Sequence, residues 1–95
     1  MASDALLSEW ADSFLDRLTP ENRALWEELE DDFIREPRNE STIWYPEAGD
    51  GEAQATLVGP FFVVWKYLNA EVIAVGTIRW GPDAPASDPN LQLRL

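Results

Sequence analysis

Apolar positions recur at spacings of three and four through the first third of the chain. Leu7, Trp10, Ala11, Phe14, Leu15 and Leu18 form one stripe, which predicts an amphipathic helix from about Asp4 to Leu18 with Ser3 as its cap. Thr19-Pro20-Glu21 then marks a sharper helix start. Thr caps, Pro takes the first helical position where its missing N–H costs nothing, and Glu favours the positive helix end. A second helix is expected from Pro20 to about Arg35, burying Leu25, Trp26, Leu29 and Phe33 and ending before Pro37. The connection of one or two residues makes the pair a helical hairpin. Trp10 and Trp26 fall on the apolar stripes and read as core.

The period then changes. Residues 37–52 are polar and hold Pro46 and Gly49-Asp50-Gly51, a loop with room for a short strand at Ile43-Trp44-Tyr45. Ala53 to Val58, Phe61 to Tyr67 and Val72 to Trp80 are rich in β-branched and aromatic residues and predict three strands. Leu68-Asn69-Ala70-Glu71 suits a hairpin turn in which Asn69 tolerates a positive φ. Residues 81–95 begin as a proline-rich connector, and Leu91, Leu93 and Leu95 alternate with polar residues as an edge strand would. The chain thus reads as a single α+β domain: a helical hairpin over residues 1–36 packed on a small antiparallel β-sheet from residues 53–80.

Charge sharpens this division. Of 18 acidic and 7 basic residues, 15 acids and 4 bases lie in residues 1–52, so the whole net charge of −11 sits in the first half. Such a chain is repelled by nucleic-acid phosphates, and direct nucleic-acid binding is not expected. With no Cys and no His, disulfides, thiolate nucleophiles, His-based proton transfer and nearly all zinc sites are excluded. The serines have no imidazole to activate them, and Glu47-Ala48-Gly49-Asp50-Gly51-Glu52 lacks the ligand alternation of a calcium loop. No cofactor and no metal are expected. No apolar run reaches the roughly 20 residues of a membrane span, and the acidic start lacks a signal peptide's basic region, so a cytoplasmic protein is expected.

Two surfaces remain as candidates. The run Glu27, Glu28, Glu30, Asp31 and Asp32 places like charges four residues apart on the polar face of the second helix. It is either a solvated face or a surface that imitates nucleic-acid charge towards a basic partner. The other candidate is aromatic. Phe62, Trp65, Lys66 and Trp80 lie in a half of zero net charge and offer the residue types that dominate protein interfaces. Both alternating sets of the Phe61–Tyr67 segment are apolar, so both sheet faces should be covered. The hairpin covers one; a protein partner or a second copy of this chain is the candidate for the other.

Several segments carry a resemblance to a known family. Ala11-Asp12-Ser13-Phe14-Leu15-Asp16-Arg17-Leu18-Thr19-Pro20, Phe33-Ile34-Arg35-Glu36-Pro37-Arg38, Gly59-Pro60-Phe61-Phe62-Val63-Val64-Trp65 and Glu71-Val72-Ile73-Ala74-Val75-Gly76-Thr77-Ile78-Arg79 occur in the order seen in RelE/ParE toxin–antitoxin toxins. Over residues 11–80 the chain resembles that superfamily: a first-helix segment, a helix exit at Pro, a glycine-led strand and the strand after it. The resemblance implies a toxin-type module neutralised by an antitoxin segment that covers its sheet. It places Arg79 where a functional base of the family often sits.

The departures shape the expectation. Phe62 stands where the family has an arginine after the strand glycine, no base lies between Arg38 and Lys66, and residues 1–10 read as helix where the family begins with a strand. Arg79 alone remains as a candidate catalytic residue of a ribosome-dependent endoribonuclease. The expected function is therefore a module acting through protein–protein contacts without strong nuclease activity. The alternative is an acidic inhibitor or immunity-type protein that uses its acid run.

Overall fold

The computed structural model describes residues 2–45 and 52–83. Strand β1 (Asp4–Leu7) opens the chain, followed by helices α1 (Glu9–Asp16) and α2 (Pro20–Arg35) and by strands β2 (Ile43–Trp44), β3 (Gln54–Val58), β4 (Phe61–Tyr67) and β5 (Val72–Trp80). The strands form one sheet in the order β1-β5-β4-β3-β2, antiparallel except that β1 runs parallel to β5. The architecture is α+β, as expected, but the sheet is mixed.

The local signals of α2 were sufficient. Thr19 caps it with Oγ1 accepting from the Asn22 N–H at 3.3 Å, Pro20 opens it, and it runs to Arg35. Trp26 and Phe33 are buried, with Leu25 and Leu29 packed against them. The first helix is different. Residues 4–7 are a strand, and the cap is Ser8 instead of Ser3. The Ser8 N–H donates to Val75 O at 2.9 Å, and its Oγ donates to Gly76 O at 2.6 Å while accepting from the Ala11 N–H at 3.1 Å. Without β1, the outer edge of β5 would carry unpaired backbone groups. Leu7 points to the core in either conformation, so its burial did not distinguish strand from helix. Trp10 was expected in the core and is 74% exposed, because the buried face of the shortened helix is Ala11, Phe14 and Leu15.

Strand β5 contains an irregularity that keeps its faces in phase. Val64 pairs with Thr77 and Trp65 with Val75, so Gly76 is the extra residue of a bulge. Val75 and Ile73 therefore share the buried side with Ile78 and Trp80. Asn69 turns the β4–β5 hairpin without a positive φ; its Oδ1 accepts from the N–H groups of Glu71 and Val72 at 2.8 and 3.0 Å. A positive φ occurs at Gly59 in the β3–β4 turn. The edge strand expected at Leu91, Leu93 and Leu95 lies outside the described residues.

The main core lies between the helices and one face of the sheet. Phe61 stacks on Trp80 with centroids 5.0 Å apart, and Trp26 meets Phe61 edge-on at 5.3 Å. The buried Trp65 Nε1 donates to Thr56 Oγ1 at 2.9 Å, and that hydroxyl donates to Pro37 O at 2.9 Å. One threonine thus joins β3, β4 and the exit of α2.

Candidate functional site

The opposite face of the sheet is assembled from all five strands. In the β4–β5 ladder, Phe62 and Arg79 are direct cross-strand partners and point away from the helices. The Arg79 guanidinium lies over the Phe62 ring at 4.6 Å and donates from Nη2 to the Tyr45 hydroxyl at 2.7 Å. Tyr45 follows β2 and is anchored by its N–H to Ala53 O at 2.9 Å; its ring meets Phe62 edge-on at 5.7 Å. Beneath them Ala53, Ala55 and Val64 are buried. Further out, Leu6 and Ile43 are exposed.

Arg79 is therefore held by an aromatic ring and a phenol, and none of the carboxylates among the described residues pairs with it. A guanidinium over an aromatic ring contributes about 0.5–1 kcal/mol at an exposed position. The arrangement presents a fixed cation with hydrogen-bond donors above an apolar floor. The cluster offers a guanidinium and its donors, which suit binding and charge stabilisation. Lys66 is half-buried on the same face. Tyr45 is the member that sequence reasoning missed as a site residue. It lies 34 positions from Arg79, and nothing local couples the two.

Two expected contact residues are not on this surface. Trp65 and Trp80 are 1% and 6% exposed and face the helices. Their alternation partners Phe62 and Lys66 take the open side. The sequence pattern could not separate the two sets, because Phe61–Tyr67 is apolar on both.

The acid run is only in part a free surface. Glu27 lies 3.7 Å from Arg23 Nε, Glu30 accepts from Trp26 Nε1 at 3.2 Å, and Asp32 lies 3.5 Å from Arg35. Glu28 and Asp31 are exposed and unpartnered among the described residues. No group of three or more residues suited to a metal ion occurs among the described residues.

No protein-family model and no curated protein matches the sequence. Among solved structures, the chain is similar to one from the archaeal RelE-RelB complex of Pyrococcus horikoshii OT3, with a TM-score of 0.63 over 88% of this chain and 100% of that one. The fold is RelE-like. Sequence identity is 17%, so the likeness is one of architecture. The first strand that the sequence resemblance lacked is present as β1. Phe62 serves as the platform beneath Arg79.

Proposed function

We propose that this protein is a RelE/ParE-like toxin-type module that acts in the cytoplasm through protein–protein contacts, without strong nuclease activity. The observation that carries the reading is the Arg79–Phe62–Tyr45 cluster on the open sheet face of a RelE-like fold. Arg and Tyr are among the residue types that dominate interface hot spots. The RelE neighbour was solved in complex with RelB, which supports a partner segment as the natural occupant of this module's surface. Among the described residues Arg79 and Lys66 are the cations on that face, too few to hold an RNA backbone against a chain of net charge −11.

The test is capture of partners from native lysate at about 0.1 M and about 1 M salt, which span weak and strong screening. A partner retained at high salt and lost in Arg79→Ala or Phe62→Ala supports the reading. A basic partner lost at high salt, and lost on neutralising Glu28 and Asp31, supports the charge-mimic alternative instead. A complex of two identical chains would make the second occupant another copy of this protein. Cleavage of mRNA on translating ribosomes, abolished by Arg79→Ala, would overturn the binding-only reading.

A further inference from the structure

Whatever covers the open sheet face must also cover Arg79, and that requirement narrows the chemistry of the occupant. Tyr45 leaves the β2 edge and its hydroxyl reaches Arg79 on β5, so its ring lies across Ala53, Ala55 and Val64. The two alanines leave it room. The phenol engages Nη2, and no carboxylate among the described residues takes up the remaining donors of the guanidinium. In a chain of 18 acids and 7 bases this separation is specific to the face. Arg23 and Arg35, on α2, each have an acid within 3.8 Å. The five strands hold a single acid, Asp4, whose Oδ1 accepts from the Ala5 N–H at 2.8 Å. It pairs with Val72 at the far end of β5, roughly 20 Å from Arg79 at about 3.3 Å per residue.

Covering this face withdraws water from a guanidinium that Phe62 and Tyr45 hold in place. A wholly apolar segment would leave that charge buried and unpaired, a cost that apolar contact does not offset. A basic segment is repelled. A second copy laid face to face brings another Arg79, no strand acid near it, and its own charge of −11. A carboxylate fits, because its two oxygens match the planar fork of arginine and cancel the charge. Around that point the contact must be apolar: Leu6 and Ile43, 57% and 56% exposed, flank the row that Phe62, Val64 and Ala55 occupy.

We propose that the occupant of the open face is a segment of a different protein carrying a carboxylate flanked by apolar side chains, and that Arg79 receives the carboxylate. This rests on the reading of the face as a partner surface and adds the partner's chemistry.

The test follows amide resonances of the full chain during titration with two capped heptapeptides. One alternates leucine and glutamine; the other has glutamate in place of the central glutamine. The net charge of −11 opposes the glutamate peptide everywhere else, so a preference for it reports a local cation. At about 0.15 M salt, where the Debye length is about 8 Å, the glutamate peptide should bind about tenfold tighter, with shifts concentrated at Ala55, Phe62, Val64 and Arg79. Arg79→Gln should abolish the preference, whereas Arg38→Gln, the same change in charge at the exit of α2, should reduce it less than about threefold. Arg79→Lys, which keeps the charge and loses the fork, should fall between wild type and Arg79→Gln. Equal binding of the two peptides, equal effects of Arg79→Gln and Arg38→Gln, or shifts confined to other surfaces would overturn the proposal. The free chain should sediment as a monomer; a dimer dissociated by Leu6→Glu would overturn a heterologous occupant. Lysate capture lost in Arg79→Ala, without a glutamate preference, would overturn this chemistry and leave the partner reading standing. Capture indifferent to both Arg79→Ala and Phe62→Ala would remove that reading, and this proposal with it.

Discussion

On the helix-facing side of β4 and β5, Phe61, Val63, Trp65, Ile78 and Trp80 are buried, with ring contacts among the aromatics and a hydrogen bond for the Trp65 indole. One residue along each strand, Phe62 and Arg79 meet on the other side, where the guanidinium remains exposed. Both sets come from the same strands and similar residue types. The difference lies in what covers them. The aromatics under the helices exchange water for close contact with other rings, and their polar atoms find internal partners. The open-face pair keeps a charged group hydrated on one side and stacked on the other. Burial and exposure are therefore separated by alternation along single strands, so substitutions one residue apart should differ sharply in their effect on stability.

The largest expected effect breaks the covered face. Trp65→Ala should cost about 3–5 kcal/mol, the usual range for removing a large buried aromatic, and it also removes the donor to Thr56. Urea denaturation measures it; a loss under about 1 kcal/mol would mean the indole is not part of the core. Gly59→Ala comes next. Its φ of 57° is left-handed, which costs a non-glycine residue about 1–2 kcal/mol. A Cβ there would also lie 2.6 Å from Leu29 Cδ1, so the midpoint should fall further than the backbone term alone predicts. Arg79→Ala should move stability by about 1 kcal/mol or less while removing partner capture, a combination that separates recognition from folding. Trp10→Ala should change stability by no more than about 0.5 kcal/mol, since the side chain is largely exposed. Thermal unfolding followed by far-UV circular dichroism would check it, and a drop like that of Trp65→Ala would place Trp10 back in the core.

How much was legible from sequence varied by element. α2 and the strands β3, β4 and β5 carried their own signals: a Thr-Pro-Glu start, a proline stop, and β-branched and aromatic runs bounded by turn residues. α1 was misjudged at its start because Leu7 fits a helical stripe as well as a strand edge. The choice between them depends on β5, about seventy positions away, whose unpaired edge binds residues 4–7. The aromatic face was misjudged in the same way. Phe62, Trp65, Lys66 and Trp80 read as one candidate contact set, and the structure buries Trp65 and Trp80 beneath the helices, because a strand apolar on both sides does not state which side the helices will cover.

Capping chemistry, proline geometry and β propensity act within a few residues, so they are written locally and place α2 and the central strands without reference to the rest of the chain. The parallel pairing of β1 with β5, the Gly76 bulge that keeps Ile73 and Val75 facing the core, and the junction of Tyr45 with Arg79 all require segments distant in sequence to meet. Their energies come from satisfying edge hydrogen bonds and burying particular faces, quantities that exist once the chain has closed on itself.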